Sequence, residues 1–227
     1  MTTFSIAITV GLAGVMAVAG TASTADGART AAPPVRQTRQ AADARIHLVV
    51  ADEGNEARYR VREQLAGVDF PNDAVGVTQG VTGGIVIDAE GAVVSEESSF
   101  LVDLTMLKSD KERRDGYVQR RLLETEQYPT AELIPTELRG LPWPLPSSGT
   151  MSFDLVADLT VRGITRPTTW QVSVEPVEGG FLGTAVTRFT FDDFELTKPR
   201  VAVVLSVDDE IQLELQFHLV PAPESGR

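Results

Sequence analysis

The chain contains no cysteine. Disulfides, thiolate metal sites and a cysteine nucleophile are excluded together, while export from the cell is left open because it requires none of them. Histidine is nearly as scarce. His47 and His218 lie far apart and share no metal-ligand spacing, so a metal centre would have to be built from carboxylates. Basic residues are outnumbered, with 20 Lys and Arg against 32 Asp and Glu and a formal net charge of −12. Nothing resembles the clustered basic patch that binds phosphate backbones, so nucleic acid is excluded as a partner. There is no G-x-S-x-G elbow and no glycine-rich phosphate loop. Glu96 with Glu97, Asp192 with Asp193, and Asp208, Asp209 and Glu210 could serve acid and base work or calcium. At strand ends such residues read more simply as solvated turns, and the last group lacks the alternating spacing and glycine of an EF-hand loop. The sequence therefore assigns no catalytic residue, no metal site and no cofactor, and points away from an enzyme.

What is present in quantity is apolar material, 42% of 227 residues, enough for one substantial core. The start, MTTFSIAITVGLAGVMAVAGTASTADG, carries an apolar run over residues 4–20, then small residues with Ser23 and Ala25 placed like a signal-peptidase site. Residues 1–25 read as a secretory signal peptide or, if retained, as an N-terminal membrane anchor providing membrane contact. Residues 26–45, rich in Ala, Thr, Pro, Gln and Arg without apolar periodicity, read as a disordered linker. One domain is expected over residues 46–220, with a flexible tail at 221–227.

Within that domain the dominant period is two. EARYRVREQL alternates Ala57, Tyr59, Val61 and Leu65 with Arg58, Arg60, Arg62 and Gln64. FDLVADLTV repeats the pattern, as do TTWQVSVEP and EIQLELQF, and shorter strands are expected over 84–88, 94–102, 131–136 and 184–191. The plan is all-β and antiparallel. One segment departs from it: SDKERRDGYVQRRLLETEQYP offers Ser109 and Glu112 as a capping box, then Tyr117, Val118, Leu122 and Leu123 on one stripe until Pro129, predicting a helix of about four turns. In the loop RGLPWPLPSSG, Trp143 between two prolines reads either as a portal residue or as a plug folded onto the barrel end.

About eight strands closed on themselves leave an interior that is filled by side chains or kept for one ligand. The large or branched residues on the predicted inward faces are the candidate ligand-binding lining: Tyr59, Val61, Phe100, Phe153, Leu155, Trp170, Val172, Phe189, Leu213 and Leu215.

Three stretches resemble the YceI-like family in order along the chain. RRDGYVQRRLLETEQYPTAEL is similar to its stretch of Arg-Asp, paired Leu and an aromatic before Pro, through Arg114, Asp115, Leu122, Leu123, Tyr128 and Pro129. ADLTVRGITRPTTW resembles its central signature through Leu159, Thr160, Gly163, Thr165, Arg166 and Pro167, with Gly163 expected at a strand reversal and Pro167 at the start of the next strand. FTFDDFELTKPRVAVVLSVDDEIQLEL resembles a variant of its last segment, with Asp193 and Phe194 before a Pro and a Leu-Ser step. Departures are Phe191 where an Arg is common, Glu195 where glycine usually follows the Phe, and HLVVADEGNEARYRV, which lacks the first strand's Asp and His-Ser pair. The resemblance implies an antiparallel lipocalin-like β-barrel of about eight strands with one short α-helix, holding a polyisoprenoid or isoprenoid quinone in a periplasmic or extracellular setting. The expected function is non-enzymatic binding, sequestration or transport of that lipid. The alternative is an envelope stress or interaction scaffold with a filled barrel, and a homodimer is compatible with either.

Overall fold

The computed structural model describes residues 45–223. The expected signal or anchor, nearly all of the linker and the last residues of the tail lie outside the described residues.

Eleven strands run in chain order: β1 (Ile46–Val50), β2 (Glu56–Leu65), β3 (Asn72–Thr78), β4 (Val81–Ile87), β5 (Ser99–Asp103), β6 (Lys108–Ser109), β7 (Thr130–Arg139), β8 (Met151–Val161), β9 (Ile164–Val177), β10 (Gly180–Thr190) and β11 (Val204–Pro221). Every pairing is antiparallel. Along one edge, β11 pairs first with β2 and then, past Gln216, with β1, so β1 and β2 are two lengths of one stave. β3 with β4, and β5 with β6, are divided in the same way. The sheet therefore closes as an eight-stranded antiparallel barrel. The break between β1 and β2 is held by buried Asn55, whose Nδ2 donates to the Ala51 carbonyl at 2.7 Å while its Oδ1 accepts the His218 amide at 2.8 Å.

Alternation in the sequence becomes inside and outside. In β8, Met151, Leu155, Ala157, Leu159 and Val161 are buried, with polar residues between most of them. On the outer face of β2, Arg58 and Arg60 meet Glu214 of β11 at 3.7 and 3.3 Å, and Arg60 and Arg62 meet Asp73 of β3 at 3.0 and 3.2 Å. The row of arginines is thus spent on cross-strand pairs.

Five local expectations are corrected. The helix α1 is short, Glu112–Tyr117, and passes into one π-helical turn at Val118–Leu122. Ser109 does not cap it: this residue lies in β6, and both its amide and its hydroxyl donate to Asp115 Oδ1, at 2.8 and 2.6 Å. The helix stops early because Glu124 turns to φ 52° and the chain folds back through a Tyr128 amide bond to the Glu124 carbonyl. Of residues 94–102 only the end is strand; Ser95–Glu97 form a 3-10 turn, and the Ser98 hydroxyl accepts the Val86 amide that a strand carbonyl would have taken. The strand expected over 184–191 begins earlier, at Gly180, and stops at Thr190, because Phe191 turns into a 3-10 turn at Asp192–Phe194. Finally, Gly163 does make the reversal, with φ 75° after Arg162 at φ 49°, but Pro167 lies inside β9 rather than at its start. It is tolerated there because β10 pairs with β9 only from Gln171 onward, leaving that side of Pro167 without a ladder.

Trp143 folds inward. Its indole Nε1 donates to the Ala89 carbonyl at 2.9 Å, and its ring lies so near Gly91 that a Cβ there would stand 2.8 Å away. The proline-rich loop thereby covers the barrel end nearest β4.

Candidate functional site

Two adjoining apolar cavities lie along the inward faces of the staves. The larger, about 150 Å³, lies toward α1; the smaller, about 90 Å³, lies toward the Trp143 loop. Phe100 of β5, Leu133 of β7 and Leu215 of β11 line both, forming a waist between them. All ten residues expected from the alternation line one cavity or both. Tyr59, Val61, Trp170, Phe189 and Leu213 face the larger; Phe153, Leu155 and Val172 face the smaller; Phe100 and Leu215 face both.

The end covers were not assigned to the lining from the sequence. Leu104, Leu107, Val118, Leu122, Leu123 and Leu196 close the larger cavity, and Leu141 and Leu145 close the smaller, beside Leu138 of the β7 wall. The paired Leu122 and Leu123 of the helix stripe carried the only signal for this, because a helix beside a barrel must bury its apolar side against it. Phe191, standing where the family often has Arg, is 2% exposed and joins the wall of the larger cavity. Phe194 is fully buried beside it, edge-on to Phe189 with ring centroids 4.6 Å apart. Glu195 adopts φ 53°, the left-handed conformation that explains glycine at this place.

A polar cluster adjoins the lining where β2 meets β3 and α1. The inward stripe of β2 continues past Val61 to Glu63, whose side chain is 8% exposed and accepts Arg114 Nη2 of α1 at 2.5 Å. Directly across the strands from Glu63 stands Asn72, and its Oδ1 is buried without a donor among the described residues. Arg114 also donates to Asp110 and to Ser109 Oγ. The Tyr59 ring lies on Gly76, its cross-strand neighbour, with its hydroxyl in the field of Arg114, Asp115, Glu63 and Asp110. Burial pushes that hydroxyl up to about 12, so at neutral pH it is a neutral donor. Among the described residues no group of three or more His, Asp or Glu is placed to hold a metal ion, and His47 and His218 sit on β1 and β11 away from this cluster.

The sequence of residues 50–219 matches the YceI-like domain family. The chain belongs to that family. No curated protein matches it. Among solved structures, this YceI-like chain is similar to a polyisoprenoid binding domain from Saccharophagus degradans implicated in plant cell wall breakdown, at 14% identity and TM-score 0.59, covering 79% of this chain and all of that one. It is similar to BcnA of Burkholderia cenocepacia at 16% identity and TM-score 0.54, over 74% of this chain and 96% of that one. A YCEI protein of Campylobacter jejuni follows at 14% identity and TM-score 0.50, over 71% and 91% respectively. These likenesses place the YceI-like barrel and its topology among known folds.

Proposed function

We propose that this YceI-like protein is a non-enzymatic carrier or sequestering protein for a long apolar lipid, a polyisoprenoid or an isoprenoid quinone, working outside the cytoplasm. The observation that carries the proposal is the pair of apolar cavities in line along the barrel. Walls of Leu, Val, Phe and Trp offer a hydrocarbon chain about 0.8 kcal/mol for each CH₂ removed from water and offer a polar substrate nothing. Family membership supports it, as does the similarity to a domain described as polyisoprenoid binding. The apolar run at residues 4–20 supports the extracytoplasmic part.

Size sets a condition. A dry apolar cavity of about 150 Å³ takes a guest of benzene size, so each cavity as packed matches about one isoprene unit or less. A longer tail must push the waist of Phe100, Leu133 and Leu215 aside and part an end cover. Native mass spectrometry of detergent-free protein, with organic extraction, tests the reading. A stoichiometric isoprenoid is the expected result; bare protein that also refuses added polyprenyl lipids would leave the scaffold alternative standing.

A further inference from the structure

The wall chemistry explains a tail but not a head, and a cluster of polar groups lies beside the larger cavity where β2 meets β3 and α1. Within the larger cavity the charged side chains adjoining the lining belong to the outer alternation: Arg58 and Glu214 pair with each other outside, and Glu132 accepts the Ser99 hydroxyl. Inward polarity comes from Thr78, whose hydroxyl already accepts the Gly80 amide, and from Tyr59, with Glu63 and Asn72 beyond the lining where β2 meets β3 and α1.

We propose that Tyr59, Glu63, Asn72 and Arg114 form a subsite for the hydroxyl end of an uncharged lipid whose tail enters the larger cavity, and that this subsite rejects phosphorylated lipids. The inference rests on the carrier reading and deepens it by naming the class of head group.

The argument is one of unmatched hydrogen bonds and charge. Asn72 Oδ1 is a buried acceptor with no donor among the described residues, and such a group favours any guest that brings a donor. Tyr59 brings a neutral phenolic donor that makes no hydrogen bond among the described residues, and so suits a guest oxygen that accepts. An alcohol or a phenol carries both a donor and an acceptor; a hydrocarbon carries neither. A diphosphate would need free cations, yet Arg114 already donates to Glu63, Asp110 and Ser109, and Lys111 stands 3.7 Å from Asp110. Glu63, Asp110 and Asp115 outnumber these two cations, so the local field opposes an added anion.

Three probes with the same fifteen-carbon chain separate the terms: farnesene, farnesol and farnesyl diphosphate, titrated into delipidated full-length protein and followed by Trp170 fluorescence and calorimetry. Farnesol is expected to bind at least about tenfold more tightly than either of the others. Tyr59→Phe and Asn72→Ala are each expected to weaken farnesol about fivefold while leaving farnesene unchanged, and Tyr59→Phe keeps the ring that packs on Gly76. Diphosphate binding as tightly as the alcohol, farnesol no tighter than farnesene, or both variants leaving farnesol untouched would overturn the subsite while leaving the carrier reading intact. Refusal of all three probes would overturn both.

Discussion

The ring of Tyr59 in β2 lies against Gly76 of β3, so close that a methyl group on Gly76 would overlap ring carbon Cε1. The glycine is therefore a seat for the ring, and the ring is part of the larger cavity's wall. Gly76→Ala is expected to displace Tyr59 and to cost about 1–3 kcal/mol by overpacking. Urea unfolding measures this; an unchanged midpoint would show that the ring is not seated there.

The waist gives a prediction of opposite sign for binding and stability. Leu133→Ala merges the two cavities and is expected to cost about 2–5 kcal/mol of folding stability. Because the obstruction is gone, affinity for prenyl chains of four or more units should rise relative to two-unit chains. Calorimetry with a chain-length series reads the ratio, and a ratio equal to wild type would count against Leu133 as a gate.

Filling a cavity should do the reverse. Leu213→Phe projects extra volume into the larger space and should shift stability by less than about 1.5 kcal/mol while sharply reducing uptake of added lipid. Retained binding in a stably folded variant would remove Leu213 from the lining that touches ligand.

Acid should unfold the barrel through identifiable carboxylates. Asp193 is held below the ordinary carboxylate range by the Thr190 amide and hydroxyl, and Asp73 by hydrogen bonds from Arg62 and Arg60. Burial raises Glu214, but hydrogen bonds from Gln212 and Arg60 and the charges of Arg60 and Arg58 bring it below its usual value. A carboxylate depressed in the fold stabilises it fully above the unfolded value near about 4, and that contribution is lost as pH falls through the lower folded value. Denaturant midpoints should thus be flat from pH 7 to about 5 and fall below it, and Asp193→Asn should flatten the fall.

Glu195 offers a stabilising change. Its left-handed backbone costs about 1 kcal/mol for a residue with a Cβ, and its 3.8 Å contact with Arg166 is an exposed pair of little worth. Glu195→Gly is expected to raise stability by up to about 1 kcal/mol after the entropy of glycine is counted, as thermal unfolding will show.

The barrel was legible because alternation in EARYRVREQL, FDLVADLTV and EIQLELQF admits one buried face each, and the same period named the ten lining residues. The divided staves were not legible. β1 is a short length whose place depends on β11 running past two partners, and pairing across more than 150 residues leaves no local trace. Nor was the waist: period two says which side chains face inward but not which three meet at the middle. Ser109 misled as a cap because Asp115, six residues on, competes for the same groups. Glu63 and Asn72 escaped notice because each, taken alone, is an ordinary polar residue near a hairpin turn; only the strand register sets them face to face.

The waist described between the cavities has a consequence for selectivity. A uniform bore would reward each added prenyl unit equally, since every segment would displace the same water and meet the same wall. Two chambers divided by Phe100, Leu133 and Leu215 reward the first units cheaply and charge the next for moving three packed side chains. Affinity against tail length then rises in a stair, and the barrel discriminates lipids by whether they are long enough for the second chamber to repay the opening of the first.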